Sequence, residues 1–377
     1  MIVWVIAGLL GLATGIRIGW ALVHRQSVVS GAMILALGSL GLLAALNWPP
    51  LTLLVDTALR WPNISVGLSQ VALVWSAAGS CVMITSVATD RGPKVTRRLA
   101  ILQYSLAALI AAVSLGLFLF GDRQPEMSPR EYLARNLGSS NTALPWLVPL
   151  LYVLMALTLV FWVGVRLSNP SRRGRALFVF TAGIALIVGA TAFLMIRAVG
   201  STYLVSVGTA ATLLMCAMAT VAAGSLLPTV EDWVGARREL RLIEPLRREM
   251  QRRHPNVGIG VRPRGPLVFR VAERLSLISD SLYLEAAAAQ RGVPDRDGVE
   301  ILGASPSERA LAVARWVHAS RDDAGAAFPG RAWLSQPEEY SDREWILEIA
   351  RNYELLDRSD AGESGRSRVE PGRAGKA

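Results

Sequence analysis

The sequence offers few side chains whose types and spacing could do chemistry. Its three histidines, His24, His254 and His318, share no ligand spacing, so they form no zinc or haem motif. The glycines at 258 and 260 lack the third glycine of a dinucleotide loop and the Lys-Ser/Thr of a phosphate loop. Asp295-Arg296-Asp297-Gly298 supplies only half of a calcium loop. We therefore expect no enzymatic activity, no metal and no cofactor.

Polar side chains within long apolar runs are the other candidates, because they are costly in a bilayer and usually functional. No run carries Asp or Glu at its middle, and the candidates are Arg17, Gln70, Gln103 and Arg197. For the arginines, snorkelling to the membrane surface is favoured over binding a ligand. For the glutamines, hydrogen bonding between helices is favoured over lining a substrate pathway.

Seven apolar runs hold the first three of these residues, and Arg197 directly follows the sixth run. Each run is close to the 20 residues that a helix needs to cross a bilayer. They are Ile2–Val23, Val28–Leu46, Val66–Thr89, Leu99–Phe120, Leu144–Val165, Ala176–Ile196 and Tyr203–Leu227. With 52% hydrophobic residues and a mean hydropathy of +0.38, the chain is too apolar for an ordinary soluble protein. The sequence predicts an all-α membrane protein, with a seven-helix transmembrane bundle over 1–228 and a small helical cytosolic domain after it.

The orientation follows from basic residues in the loops, which collect on the cytoplasmic side. Nothing basic precedes Arg17, so the first run is predicted to be a retained span rather than a signal peptide. With the N-terminus outside, the short inner loops hold nine basic residues and the outer loops hold four. We expect a multi-pass protein of the cell (plasma) membrane with a cytoplasmic C-terminus.

The net charge of +10 belongs to the membrane half alone. Before Thr229 there are 15 basic and 5 acidic residues, whereas the rest of the chain has 24 of each. Nucleic-acid binding needs a basic face on a soluble domain, so no nucleic-acid partner is expected.

The cytosolic domain is predicted over 229–358, with a disordered tail over 359–377. The seventh span is predicted to end at Leu227-Pro228, after which Thr229 caps a new helix. The predicted helices are Glu231 to Ile243, Pro245 to Arg253, Pro266 to a stop at Gly292, Ser305 to Ala319, and Ser341 to Leu356. Capping boxes, in which a serine and a glutamate three residues later exchange hydrogen bonds, start the last two.

A cluster of arginines follows the last span at the start of this domain. It includes Arg237, Arg238, Arg241, Arg247 and Arg248. Such a cluster can hold anionic lipid headgroups. A solvated helix face is an equally good interpretation, because five acidic residues lie nearby.

Two stretches of the domain resemble a known family. They are Leu242-Ile243-Glu244-Pro245-Leu246-Arg247-Arg248-Glu249-Met250, ending in His254-Pro255, and Phe269-Arg270-Val271-Ala272-Glu273-Arg274-Leu275-Ser276-Leu277-Ile278-Ser279-Asp280. Both are similar to an actinobacterial family that joins multiple N-terminal spans to a cytosolic helical domain of unknown function. Some members carry a transporter label. The resemblance implies the same architecture and supplies no reaction.

Two functions fit these observations. The first is a non-enzymatic sensor or scaffold, in which the spans pass a signal to a cytosolic interaction domain. Its partners would be membrane lipids and either a cytosolic protein or a second copy through the C-terminal domain. The second is a small-molecule transporter, which usually has internal repeats or broken helices around a polar site at mid-membrane. Pro145 and Pro149 open the fifth span instead of breaking its centre.

Overall fold

The computed structural model describes residues 2–23, 27–88, 93–121, 123–138, 144–200, 206–257, 267–290, 304–321 and 329–367. Over these residues the secondary structure is helical and contains no strand, which confirms the all-α prediction. The chain divides into two compact units, Met1–Pro228 and Thr229–Ala377. We call them the membrane unit and the helical unit.

The membrane unit contains the seven predicted spans. In chain order its helices are α1 (Ile2–Val23), α2 (Val28–Leu46), α3 (Pro49–Leu59), α4 (Ile64–Ala88), α5 (Pro93–Phe120), α6 (Pro129–Asn136), α7 (Leu144–Leu167), α8 (Arg172–Val199) and α9 (Val207–Leu242). All except α3 and α6 are long and apolar enough to cross a bilayer. The protein is therefore a multi-pass membrane protein.

Helix α4 lies at the centre of the bundle. In its most apolar stretch 72% of the residues are buried, against 17–39% in the other six spans. It packs on α2, α5 and α7. Small residues make the closest of these contacts, since a methyl group added at Gly79 would lie 2.8 Å from the Ala36 nitrogen on α2. Close approach of backbones through small residues is how helices associate in lipid.

The two short helices, α3 and α6, were not predicted. Each begins with proline at its first position, which suits the fixed φ of that residue, and Ser128 also accepts a hydrogen bond from the Glu131 amide to cap α6. Asp56 of α3 is buried and accepts hydrogen bonds from the Ser65 amide and hydroxyl, at 2.8 and 3.1 Å. It therefore places a carboxylate at the N-terminus of α4, where the helix dipole favours it.

Helix α9 corrects the predicted break at Pro228. The helix runs through this proline to Leu242, so Thr229 does not cap a new helix. A proline inside a helix removes the hydrogen bond to the carbonyl four residues earlier, here that of Gly224. The residues that follow include Glu231, Ala236 and Leu240, and glutamate, alanine and leucine are good helix formers that favour continuation beyond one missing bond.

The helical unit is built from α10 (Glu244–Arg253), α11 (Leu267–Gln290), α12 (Pro306–Ala319), α13 (Arg331–Leu334), α14 (Asp342–Ser367) and the end of α9. Its core includes the fully buried residues Leu246, Ile278, Val313 and Ile349. Both predicted capping boxes are present at the starts of α12 and α14. They fix where these two helices begin.

The last helix extends beyond its predicted end. Helix α14 continues through Ser359 to Ser367, where the sequence predicted disorder to begin at 359. An ion pair between Arg358 and Glu354 at 2.6 Å supports these turns, and the His318 ring lies 3.2 Å from the Asp360 carboxylate. The predicted start at Pro266, the stop at Gly292 and the rest of the tail from 368 lie outside the described residues.

Candidate functional site

Gln70 joins three helices of the bundle through a carbonyl that Pro149 leaves free. Pro149 lies in α7 and has no N–H, so the carbonyl of Pro145 has no partner within the helix. The Gln70 amide on α4 donates to this carbonyl at 3.1 Å. Ser114 on α5 donates to the Gln70 oxygen at 3.0 Å and lies 3.3 Å from the same carbonyl. The group ties α4, α5 and α7 together and satisfies a backbone oxygen that lipid could not.

Gln103 makes a second tie between α4 and α5. Its amide donates to the Cys81 sulfur on α4 at 2.6 Å. Cys81 follows Gln70 by eleven residues and Ser114 follows Gln103 by eleven, a distance of about three helical turns. The two antiparallel helices therefore meet twice on the same faces. Both predicted glutamines take part in contacts between helices.

A small apolar cavity of about 80 Å³ lies beside the Gln70 tie. Helices α2, α4, α6, α7, α8 and α9 contribute to its lining. The lining is mostly leucine, with Trp146 and the polar groups of Asn47, Ser69 and Gln70. An apolar lining with a few polar groups is typical of small-ligand sites, but the volume is well below the roughly 300–1,000 Å³ of drug-sized sites, so the cavity suits a ligand of only a few heavy atoms.

The segment between α5 and α6 is held over this end of the bundle by side-chain amides. Asn63 donates to the Pro125 carbonyl at 3.0 Å and accepts from the Met127 amide at 3.0 Å. Gln124 and Asn136 exchange two hydrogen bonds, at 2.7 and 2.9 Å. The segment leads into α6, and Leu133 on this helix and Leu137 directly after it line the cavity. We call residues 123–137 the cover segment.

The two arginine candidates of the spans do not meet. Arg17 is half-buried on α1 and lies six residues, about 9 Å along the helix, from its end at Val23. Arg197 is half-buried in the last turn of α8, where a cation is favoured by the helix dipole. Neither lines the cavity beside Gln70. The two glutamines make separate hydrogen bonds to other helices, and neither arginine lines the cavity beside Gln70.

The arginine cluster of the helical unit is organised around carboxylates. Glu244 accepts hydrogen bonds from Arg247 at 2.8 and 3.0 Å, from Arg248 at 2.9 Å and from Arg274 at 3.0 Å. The bonds from Arg247, with those from the other two guanidinium groups, lower the pKa of Glu244 to about 2. Arg247 is therefore committed to a protein carboxylate.

Glu249 and Glu285 form a second charged group next to the first. Glu249 is buried and pairs with Arg253 at 3.0 Å, Arg252 at 3.4 Å and Arg321 at 3.7 Å. Arg253 also donates to Glu285 at 3.1 Å and to the Val317 carbonyl at 2.8 Å. Since these partners lie on or beside α10, α11 and α12, the group fixes three helices against one another.

These charges border an open pocket of about 240 Å³. Arg241, Arg248, Arg252, Arg321 and Tyr353 line it, together with Glu244, Pro245, Glu249 and Asp357. We call it the arginine pocket. Two of the five predicted headgroup contacts, Arg241 and Arg248, line it. The other three do not.

Arg237 and Arg238 lie on an exposed part of α9. The Arg237 guanidinium lies 5.2 Å from the centre of the Trp233 ring, a cation–π contact. Trp233 and Val230 are exposed by 49% and 53%. Aromatic and basic residues combined in this way are typical of the membrane–water interface.

Sequence reasoning missed Ser114, the cover segment, Arg321 and Tyr353. The equal spacing of eleven residues in α4 and α5 was a usable signal for Ser114. Glu244 with Arg247 and Arg248 at i, i+3 and i+4 was a usable signal for the ion pairs. Arg321 and Tyr353 are more than 60 residues from the arginine cluster in sequence, and no local pattern links them to it.

Comparison with protein-family models, with curated proteins and with solved structures found no match to this chain. The family resemblance of the two stretches in the helical unit therefore stays a prediction.

Proposed function

We propose that the protein is a membrane sensor without enzymatic activity, in which the membrane unit responds to a small apolar ligand and the helical unit passes the response to a cytosolic partner. The observation that carries the proposal is α9. It is one helix, with residues Val207 to Pro228 in the membrane unit and Thr229 to Leu242 in the helical unit. A displacement of this helix in the bundle is thereby available to the helical unit without an intervening linker.

The cavity beside Gln70 is the site that we propose for the ligand. A ligand that fills it touches α4 at the centre of the bundle, the cover segment, and Leu214 of α9. Helix α9 also packs closely on α8, since a methyl group added at Gly183 would lie 2.8 Å from the Val221 nitrogen. Packed interfaces of this kind have discrete arrangements, so a ligand that favours one arrangement shifts the population.

Continuous spans favour this sensor over a transporter. Each of the seven spans is unbroken over the described residues, and the Pro145 carbonyl that Pro149 leaves free accepts a hydrogen bond from Gln70. Transporters of the inverted-repeat type expose unwound backbone to their substrate. Here the freed carbonyl serves packing.

We place the N-terminus outside and the helical unit in the cytoplasm of a cell that holds the protein in its plasma membrane. The loops support this with nine basic residues on the inner side and four on the outer. In this orientation Trp233, Arg237 and Arg238 follow the seventh span on the cytoplasmic side, and we propose lipid headgroups as their partners.

The output surface is a groove of about 350 Å³ in the helical unit. Leu275, Trp345 and Ile346 line it with Tyr283, and Asp280 and Arg343 add charge. An apolar groove with a charged edge suits a segment of a cytosolic protein. We assign the partner of the helical unit to this groove.

Hydrogen exchange of the full chain in lipid nanodiscs tests the proposal. Leu133→Trp adds volume at the cavity from the cover segment and so mimics a bound ligand. We expect amide exchange to change at least twofold, beyond Pro228 in α9 and in the peptides that line the groove.

The matched control is Leu53→Trp, which adds the same volume at an exposed position of α3 away from the cavity. Exchange in the helical unit should equal that of the unmodified chain. Identical exchange in Leu133→Trp and the unmodified chain, or equal changes in the two variants, would show that the cavity does not communicate with the helical unit.

A further inference from the structure

We infer that the arginine pocket of the helical unit binds a phosphate-bearing anion. The pocket lies among the end of α9, helix α10, the residue Arg321 after α12, and helix α14. This site is separate from the cavity of the sensor proposal and stands without it. The inference rests on the charge balance of the pocket, on a buried hydroxyl, and on arginine geometry.

The charge balance leaves the pocket positive. Its lining has four guanidinium groups and three carboxylates. Two of the carboxylates are also neutralised from outside the lining, because Glu244 accepts from Arg247 and Arg274 and Glu249 accepts from Arg253. With these three arginines included, and with Glu285, which Arg253 also contacts, seven guanidinium groups face four carboxylates. A pocket with such an excess attracts anions.

Two arginines of the pocket have N–H donors that are not used in close ion pairs. Arg241 is exposed and makes no ion pair or hydrogen bond among the described residues. Arg252 is 66% exposed at its side chain and reaches Glu249 only at 3.4 Å. A guanidinium group has five N–H donors in a planar fork, which matches the oxygens of a phosphate.

Tyr353 adds a neutral donor at the pocket wall. The residue is only 1% exposed, and its ring packs against His318 with ring centres 5.6 Å apart. Burial, together with the charge of Glu249, raises the pKa of Tyr353 to about 12. The hydroxyl therefore keeps its proton at neutral pH and is able to donate it in a hydrogen bond to an anion.

The chemistry of these groups selects the ligand class. Arginines in a fork and a phenol donor recognise a phosphate monoester, a diphosphate or a phospholipid headgroup by the same oxygens. A volume of about 240 Å³ accommodates one or two phosphate groups with part of their substituent. The source of the phosphate, soluble or lipid, is decided by experiment.

Titration of sodium pyrophosphate into the purified full chain, in phosphatidylcholine nanodiscs and at constant ionic strength, tests the inference. We expect saturable binding that Arg241→Gln and Tyr353→Phe each weaken about tenfold, the effect of losing one charge-assisted or buried hydrogen bond. Neither change removes a contact that holds the fold, so the thermal midpoint without ligand should stay unchanged.

Arg351→Gln is the matched control, because it removes an exposed arginine two residues from Tyr353 on the same helix and outside the pocket. It should bind pyrophosphate as the unmodified chain does. Equal affinity of the unmodified chain, Arg241→Gln and Tyr353→Phe would overturn the inference. So would an equal loss in Arg351→Gln, which would indicate a diffuse effect of charge.

A second set of nanodiscs, with phosphatidylglycerol, separates the two sources. If a lipid headgroup occupies the pocket, pyrophosphate binds the unmodified chain more weakly in these discs, and Arg241→Gln removes the difference between the two lipids. If the ligand is soluble, the ratio of affinities between the unmodified chain and Arg241→Gln is the same in both lipids. Both outcomes place a phosphate in the pocket, and absence of binding in both lipids places none there.

Discussion

The two units hold their buried polar groups in different ways. The spans of the membrane unit use neutral groups: the amides of Gln70 and Gln103, the hydroxyl of Ser114 and the thiol of Cys81. The helical unit uses ions, and its buried Glu249 is shared among three arginines. Each choice suits the surroundings, because a charge that is paired and partly hydrated at the edge of a soluble domain would be prohibitive in lipid.

The two units also differ in how their apolar side chains pack. The membrane unit exposes large apolar side chains to lipid, with Phe120 92% and Leu22 78% exposed, and places glycine and alanine where helices cross. The helical unit places its large apolar residues inside, with Leu246 and Ile278 fully buried. In lipid, bringing two helices together removes no apolar surface from water, so close packing has to stabilise the contact. In water, burial of apolar area itself stabilises the fold. The membrane unit should therefore be sensitive to added atoms and the helical unit to removed ones.

Leu246→Ala should have the largest effect, and it acts in the helical unit. The side chain is 0% exposed, so truncation leaves a cavity and lowers the free energy of unfolding of this unit by about 2–5 kcal/mol. Urea denaturation of the detergent-solubilised chain, with amide exchange of the helical unit as the readout, measures this loss of unfolding free energy. Leu355→Ala, at a residue 59% exposed, should cost less than about 0.5 kcal/mol. Equal losses would contradict the contrast in packing.

Gly79→Ala tests the membrane unit with a single added methyl group. That methyl would lie 2.8 Å from both the Ala36 nitrogen and the Ala32 oxygen, so α2 and α4 must separate. We expect a loss of about 1–3 kcal/mol, read from the midpoint of SDS denaturation. Gly116→Ala adds the same atom where nothing lies within 4 Å and should leave the midpoint in place. If Gly79→Ala also leaves it unchanged, close fit does not hold these helices.

Glu244→Gln should have the smallest effect and depend on pH. It should lower the stability of the helical unit by about 1–2 kcal/mol at neutral pH, because Glu244 is partly exposed and pairs with three arginines. The pKa of Glu244 is about 2 in the fold against an ordinary 4.5, so its contribution is complete above 4.5 and is lost as the pH falls towards 2.

Urea midpoints of the two chains at a series of pH values measure this difference, which should narrow between pH 4.5 and pH 2. Glu354→Gln removes a single surface pair with Arg358 and should cost less than about 0.5 kcal/mol at neutral pH. A difference between Glu244→Gln and the unmodified chain that stays constant down to pH 2 would show that the arginines around Glu244 do not depend on its charge.

Much of this fold was predictable because its signals are local. A span is a run of about 20 apolar residues, which can be read directly from the sequence. A capping box is only four residues long, so Ser305–Glu308 and Ser341–Glu344 predict the starts of α12 and α14. The interruption predicted at Pro228 was wrong, since a proline costs a helix one hydrogen bond and the residues around it decide whether the helix continues.

The contacts of the candidate sites were less accessible, because they depend on the register of distant helices. That Gln70 would bond to another helix was predicted, but the choice of the Pro145 carbonyl requires the relative placement of α4 and α7. The predicted headgroup residues separate for a similar reason, since Arg247 is bound to Glu244 while Arg241 opens onto a pocket that α14 completes. The spacing of residues along the sequence does not determine either arrangement.

The carbonyl left free by Pro149 also bears on how the bundle is made. A chain is synthesised from its N-terminus, so α4 and α5 are in the membrane before α7 arrives. The two side chains that satisfy the Pro145 oxygen, Gln70 and Ser114, belong to those earlier helices. The side chains that satisfy the Pro145 oxygen are therefore already in the membrane when α7 enters it, so this carbonyl has hydrogen-bond partners as soon as the helix is inserted.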